Sequence, residues 1–298
     1  MTEKRVLVLG GTGMLGHKLV QVLSPRFDVW CTVRTGVSEI VQYDIFRNDR
    51  VIPDVDALEI RSVRSAIDAV SPDVVINAIG VIKQLPSSRN VVQTLTINSL
   101  LPQLLGDFAG ERGFRFITLS TDCVFSGNKG LYAEEDVPDA TDLYGRSKQF
   151  GEVTGSNCLT LRTSMIGREL GTSHSLIEWF LAQTDRVTGY RNAIFSGFPT
   201  ILLAEIIGDL IESQPNLAGL FHVSSDPINK YELLKLVADR LGLPIQIEAS
   251  DDPHIDRSLD SKRFRRSTDF EPLPWREMID KMFADPTPYD QWRSSRTI

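Results

Sequence analysis

Tyr144 and Lys148 stand four residues apart in Tyr-Gly-Arg-Ser-Lys, just after Thr141 and Asp142, which are residue types that start helices. Four residues is slightly more than one helical turn, so the phenol and the ammonium share a face. A free phenol titrates near ~10, and bringing it to neutral pH takes roughly 4 kcal/mol at about 1.4 kcal/mol per unit. One ammonium ~4 Å away, at an effective dielectric of ~20, supplies about that amount. The pair therefore suits proton transfer to a substrate oxygen, with Tyr144 as the general acid. A solvent-facing helix pair would show the same spacing, so the surrounding chain has to decide.

Two further motifs supply that context. Ser120-Thr121-Asp122 ends the apolar run Phe114–Leu119, where a hydroxyl can bond and polarise the carbonyl oxygen that Tyr144 protonates. Gly10-Gly11-Thr12-Gly13-Met14-Leu15-Gly16 follows the apolar run Val6–Leu9 and opens a helical stretch. Glycines in that setting permit a tight turn, close approach of a pyrophosphate to backbone N–H groups, and close helix packing. Gly10, Thr12, Gly13, Met14, Leu15 and Gly16 are therefore the expected dinucleotide turn. After the second strand the chain carries Arg34-Thr35 in place of the acidic residue that would bind a ribose 2′-hydroxyl, and a guanidinium pairs with a 2′-phosphate. NADPH is thus expected over NADH. Asp56-Ala57 and Asn77-Ala78-Ile79-Gly80 fall where later strands should end, Asp56 and Ala57 to meet adenine, Ala78 and Gly80 to pack against the cofactor.

These motifs need a scaffold that brings strand ends together. Val6–Leu9, Asp28–Val33, Asp73–Asn77 and Phe114–Leu119 read as strands. Met14–Leu23, Val63–Val70 and Val91–Arg112 read as helices between them, with Pro102 bending the last or marking its start. Alternating strands and helices imply an α/β fold with a doubly wound parallel sheet, whose loops gather at the carboxyl edge. Residues 1–165 are read as the nucleotide-binding domain. Residues 166–298 are read as a smaller, mixed substrate lobe interleaved with the last strands of the sheet, with helices at Ser175–Gln183, Ile201–Ser213 and Tyr231–Leu241. Pro286–Ile298 reads as a surface wrap or tail.

Bulk properties exclude several classes. With 298 residues and 42% hydrophobic content the chain can bury a large core. A net charge of −7 argues against nucleic acid or an anionic membrane as partner. Cys31, Cys123 and Cys158 fit neither a disulfide framework nor a metal spacing, which points to a reducing cytoplasm and no metal. No apolar run is long enough to span a bilayer. His222 reads as a packed strand residue and His174 as a loop residue. Lys262-Arg263-Phe264-Arg265-Arg266 is either a diphosphate clamp or a solvated helix end.

Gly-Gly-Thr-Gly-Met-Leu-Gly, Leu-Ser-Thr-Asp-Cys-Val-Phe, Tyr-Gly-Arg-Ser-Lys, Leu161-Arg162-Thr163-Ser164, Phe198-Pro199-Thr200 and Arg257-Ser258-Leu259-Asp260 occur in this order. Together they resemble the extended short-chain dehydrogenase/reductases, a Rossmann-fold group, and within it the dTDP-4-dehydrorhamnose reductase branch. The resemblance implies Thr121, Tyr144 and Lys148 as catalytic set, with Lys148 also holding the nicotinamide ribose. It implies Gly13, Met14 and Leu15 at the pyrophosphate, and Asp122, with its neighbours Cys123 and Met165, at the sugar. The implied reaction is NADPH-dependent reduction of the C4 keto group of a nucleoside-diphosphate 4-keto-6-deoxy sugar. A homodimer through the helices around Asn98–Phe108 and Tyr144–Val153 is implied as well.

Cys123 and Met165 stand where the branch usually carries aromatic rings, so the sugar pocket should differ in shape, and an N-acetylated or otherwise altered sugar, on dTDP or UDP, fits as well. Dehydration is disfavoured, because Cys123 occupies the place of the acid that follows Asp in dehydratases. A 4-epimerase uses the same Thr, Tyr and Lys and remains an alternative, as does a non-catalytic NADP-binding regulatory subunit.

Overall fold

The computed structural model describes residues 3–83 and 90–294. Its elements run β1 (Arg5–Leu9), α1 (Gly16–Leu23), β2 (Asp28–Thr32), β3 (Val51–Ile52), α2 (Ile60–Val70), β4 (Val74–Asn77), α3 (Val91–Leu95), α4 (Leu101–Arg112), β5 (Arg115–Thr121) and α5 (Leu143–Phe150). There follow β6 (Cys158–Thr163), β7 (Met165–Ile166), α6 (Leu176–Leu181), β8 (Arg186–Tyr190), β9 (Ala193–Phe195), β10 (Phe198–Pro199), α7 (Thr200–Ser213) and β11 (Gly219–His222). The chain ends with β12 (Ile228–Asn229), α8 (Lys230–Leu241), β13 (Gln246–Ser250), β14 (Ile255–Asp256), α9 (Lys262–Thr268), α10 (Trp275–Phe283) and α11 (Tyr289–Ser294).

Seven strands form one parallel sheet in the order β3-β2-β1-β4-β5-β6-β11. The unbroken apolar run of β1 follows from burial on both faces. Val6 and Val8 pack with Leu19 and Leu23 of α1 and Leu203 of α7. Leu7 and Leu9 pack on the opposite side with Val63 and Ile67 of α2 and Leu105 and Phe108 of α4. The strand order turns back between β1 and β4, and that reversal opens a crevice at the carboxyl edge.

The stretch expected as one helix over Val91–Arg112 is broken by a π-helical turn, Thr96–Leu100, between α3 and α4. Pro102 has no N–H to return to the Asn98 carbonyl, so the helix widens there. That wider turn is held against α5, where a Cβ on Gly151 would lie 2.0 Å from the Asn98 carbonyl oxygen.

The C-terminal half is threaded through the whole molecule. Helix α7 packs on α1, and β11 pairs with β6 as the outermost strand of the large sheet. Small sheets β12-β9-β14, β13-β8 and β10-β7 stand apart from the large one, and of these β9, β14 and β7 bring residues to the crevice. The expected surface tail is instead built into the core over its described part. Tyr289 and Trp292 are 4% and 6% exposed, the Trp292 ring meets Tyr43 edge-on at 5.0 Å, and the Tyr289 hydroxyl lies 2.8 Å from His17 Nε2. The aromatic residues in this polar stretch are what drive it inward, because each buries a large apolar area. No described helix is long and apolar enough to cross a membrane.

Candidate active site

The carboxyl ends of β1, β4, β5 and β6 open onto one cleft of about 740 Å³. Thr121, Asp122, Cys123, Tyr144, Lys148 and Met165 all line it, as do Thr12, Gly13, Met14, Leu15, Arg34, Ala78 and Gly80. Residues separated by more than 130 positions in sequence thus meet at the sheet edge expected from the strand alternation.

Thr121 is the last residue of β5. Its hydroxyl accepts the Cys123 N–H at 3.1 Å and donates to Asp122 Oδ1 at 3.1 Å, which fixes its rotamer toward the cleft. Helix α5 begins at Asp142, whose carboxylate accepts the Gly145 N–H at 2.8 Å, as the helix-start residues predict. A Cβ on Gly145 would lie 2.3 Å from the Cys123 carbonyl oxygen, so the missing side chain lets α5 settle directly on the Thr121 turn. Tyr144 and Lys148 consequently face the strand end side by side.

Their electrostatics depart from the expected pairing. Lys148 Nζ donates to the Leu119 carbonyl at 2.6 Å, and burial lowers its pKa to about 8, against the pull of Glu152. Burial pushes the Tyr144 phenol up, not down, with the Cys123 and Asp122 charges adding to the rise and the Thr121 hydroxyl opposing it. Both shifts have one cause: a poorly solvated wall penalises whichever form is charged. Tyr144 therefore stands protonated at neutral pH, the form that can donate. Burial also raises the Asp122 carboxyl above its usual range and pushes the Cys123 thiol up to about 12.

At the other end, Gly10 adopts a φ of +83°, and a Cβ on Gly16 would lie 2.0 Å from the Gly10 carbonyl oxygen. Gly10 and Gly16 do not line the cleft; they let α1 close on the turn that does. The Gly13 N–H closes the turn on the Gly10 carbonyl at 3.0 Å, while no described protein acceptor takes the N–H of Met14 or Leu15. Free amides at a helix start, facing a cleft, suit a pyrophosphate. Arg34 is exposed on the same wall and makes no ion pair among the described residues, which suits a 2′-phosphate. Thr35, Asp56 and Ala57 lie outside the cleft walls. Asp56 is exposed, and its carboxylate accepts the Leu58 N–H at 3.0 Å in a local turn.

The model of the family described as the RmlD substrate binding domain matches residues 4–287. The chain belongs to that family. Among RmlD-family relatives it is similar to a dTDP-4-dehydrorhamnose reductase of Aggregatibacter actinomycetemcomitans, with 24% identity over 94% of this chain and 98% of the relative. It is also similar to methionine adenosyltransferase 2 subunit beta of Mus musculus, with 26% identity over 81% of this chain and 73% of the relative. The fold matches the crystal structure of a Bacillus anthracis dTDP-4-dehydrorhamnose reductase in complex with NADP. The TM-score is 0.79 at 18% identity, over 95% of this chain and all of that one.

Within this RmlD-family scaffold, three positioning groups escaped the sequence reading. Asn98, on the π turn, accepts the Val81 N–H at 2.9 Å and donates to the Val81 carbonyl and the Ser147 hydroxyl, tying the loop after β4 to α5. Glu152, just past α5, accepts the Ser120 hydroxyl at 2.6 Å and two bonds from Arg162. Lys230 lines the cleft from the start of α8. A polar residue inside a long helical pattern was the one available signal for Asn98; the others depend on long-range packing.

The basic cluster 262–266 does not reach the cleft. Lys262 pairs with Asp260, Arg265 with Asp226 and Glu271, and Arg263 lies over the Phe221 ring. Its helix, α9, buries Phe264 and so turns the charges outward. His222 is a packed strand residue, fully buried, with Nδ1 on the Tyr132 carbonyl at 2.9 Å. His174 sits in a loop at the cleft wall, its N–H on Glu169. No group of three His, Cys, Asp or Glu able to hold a metal occurs among the described residues.

Proposed function

We propose that the chain is an NADPH-dependent reductase of the C4 keto group of a nucleoside-diphosphate 4-keto-6-deoxy sugar. One observation carries this: Thr121, Tyr144 and Lys148 converge on the same cleft as the glycine turn and Arg34. When bound, NADPH supplies a hydride to the carbonyl carbon. Met14 and Leu15 amides hold its pyrophosphate and Arg34 its 2′-phosphate. The Thr121 hydroxyl orients the carbonyl oxygen, and Tyr144, protonated at neutral pH, gives its proton to that oxygen as negative charge develops. Lys148, with N–H groups beyond the one spent on Leu119, holds the nicotinamide ribose and favours the phenolate left after transfer. Cys123 and Met165 leave the sugar end wider than two aromatic rings would.

The test is cofactor oxidation with NADPH beside NADH, against dTDP-, UDP- and GDP-linked 4-keto-6-deoxy sugars, with Tyr144→Phe in parallel. Turnover preferring NADPH should fall by about 10²–10⁴-fold in the variant, the range for loss of a positioned acid. An undiminished rate removes Tyr144 from the chemistry. The similarity to an adenosyltransferase subunit favours one second reading, a regulatory subunit that binds NADPH without turnover. Binding of NADPH with no oxidation on any sugar would support it.

A further inference from the structure

Lys230 is held in place by its neighbours. Strand β12 pairs antiparallel with β9, placing Asn229 opposite Ile194, and the Asn229 carboxamide caps α8 by accepting the Glu232 N–H at 2.8 Å. The ammonium of Lys230, first residue of that helix, consequently projects into the cleft and lies 3.7 Å from the centroid of the Phe195 ring. The ring face attracts the charge but accepts no conventional hydrogen bond. Among the described residues no carboxylate forms an ion pair with Lys230, and no acceptor takes its N–H groups. Asp122 attracts it through the cleft without touching it, as each favours the charged form of the other.

Lys230 is partly exposed, so its three donors are left to whatever enters the cleft, water or ligand. A poorly solvated carboxylate with lone pairs to spare is costly, and the described partners of Asp122 are Thr121 and Cys123. A donor and an acceptor that face one cavity and do not reach each other are both satisfied by hydroxyls, which donate and accept at once. Asp122 would repel a phosphate at this place, while Arg257, which lines the same cleft and also favours the charged form of Asp122, would attract one, so binding has to separate the two ligands.

We propose that Lys230, acting with Asp122, binds ring hydroxyls of the sugar and is a specificity-determining residue of the cleft. This rests on the sugar-nucleotide reading above. Lys230 recognises the sugar and not the diphosphate, so it selects a hydroxyl-bearing ring over one deoxygenated at the contacted carbon.

Calorimetric binding separates the two roles without requiring turnover. UDP and dTDP are titrated beside UDP-glucose and dTDP-glucose into the NADPH-loaded protein and its Lys230→Met variant. The variant keeps the apolar stem and removes a poorly paired charge, so folding is not threatened. The glucose conjugate should bind the parent protein more tightly than the bare nucleotide. Lys230→Met should weaken the conjugate by about tenfold or more, the scale of one hydrogen bond to a charged group, and leave the bare nucleotide unchanged. Equal weakening of both would assign the lysine to phosphate, and no change in either would make it a wall residue; each overturns the proposal while the reductase reading stands. If the parent binds none of the four, nor GDP or GDP-mannose titrated in the same way, the sugar-nucleotide reading falls and takes this one with it.

Discussion

The Glu152 carboxylate grips the Arg162 guanidinium through two bonds of 2.7 Å, beside the helix that carries Tyr144 and Lys148. Both side chains are under 10% exposed, and the same carboxylate holds the Ser120 hydroxyl one residue before Thr121. Arg162 also reaches His222 Nε2 at 3.2 Å and lies over the Phe125 ring. The pair thus ties α5, β5, β6 and β11 together behind the edge that opens onto the cleft. Arg162→Met strands a buried carboxylate, and breaking such a pair from one side costs about 3–5 kcal/mol. Urea unfolding of the variant should show that loss. A change below about 1 kcal/mol would mean the pair is already hydrated.

The pH dependence of turnover follows from Lys148. Burial lowers its pKa to about 8, so the ammonium is mostly charged at neutrality and is lost as pH rises through that value. The kcat/KM of the free protein should therefore fall on an alkaline limb near pH 8, and Lys148→Arg should move that limb upward. Lys230 is also brought to about 8 by burial, so the profile is best taken in the Lys230→Met background. A rate flat to pH 10 would remove the Lys148 charge from catalysis.

Acid should loosen the fold through His17. The ring is fully buried, with Nδ1 2.8 Å from the Gly13 carbonyl and Nε2 2.8 Å from the Tyr289 hydroxyl. Burial lowers its pKa from 6.5 to about 3. The unfolded chain then binds more protons between these values, so the contribution is whole above pH 6.5 and is lost as pH falls toward 3. The slope is up to about 1.4 kcal/mol per unit. In His17→Gln the acid slope of the unfolding free energy should shrink by that much; an identical slope in both proteins would show that another group carries it.

The C-terminal helix should matter to stability far more than a surface tail. Trp292→Ala removes a ring 6% exposed and should cost about 3–5 kcal/mol. Tyr289→Phe keeps the ring and removes the hydroxyl that faces the buried His17 Nε2, which should cost about 1–3 kcal/mol. Thermal unfolding of the two variants gives the ratio, and equal small shifts would place α11 outside the cooperative core.

Gly16→Ala tests the glycine turn. Its Cβ would lie 2.0 Å from the Gly10 carbonyl oxygen, with no flexible group to give way, so α1 must lift from the turn and NADPH affinity should collapse. Gly110→Ala, with nothing within 4 Å of its Cβ, is the control and should gain about 0.5–1 kcal/mol in its helix. Comparable NADPH affinity in both would separate Gly16 from cofactor binding.

Local chemistry made much of this protein legible in its residues alone. The both-face burial of β1, the glycine turn, the Asp142 cap and the four-residue step from Tyr144 to Lys148 are short-range facts, set by backbone sterics and side-chain period. The parallel sheet and the edge that holds the cleft follow from them, because crossover handedness leaves few alternatives. What the tertiary structure decided is long-range. The direction of the Tyr144 and Lys148 shifts depends on how poorly the finished wall is solvated. The displacement of cluster 262–266 from the cleft depends on where Phe264 is buried. The capture of Tyr289 and Trp292 depends on a gap beside His17 and Tyr43 that no local pattern encodes. Lys230 comes to face the same cleft as Asp122 only through a separate small sheet, where β12 pairs with β9. Desolvation and packing are properties of surroundings assembled from distant segments, and for these groups the surroundings, not the residue type, set the chemistry.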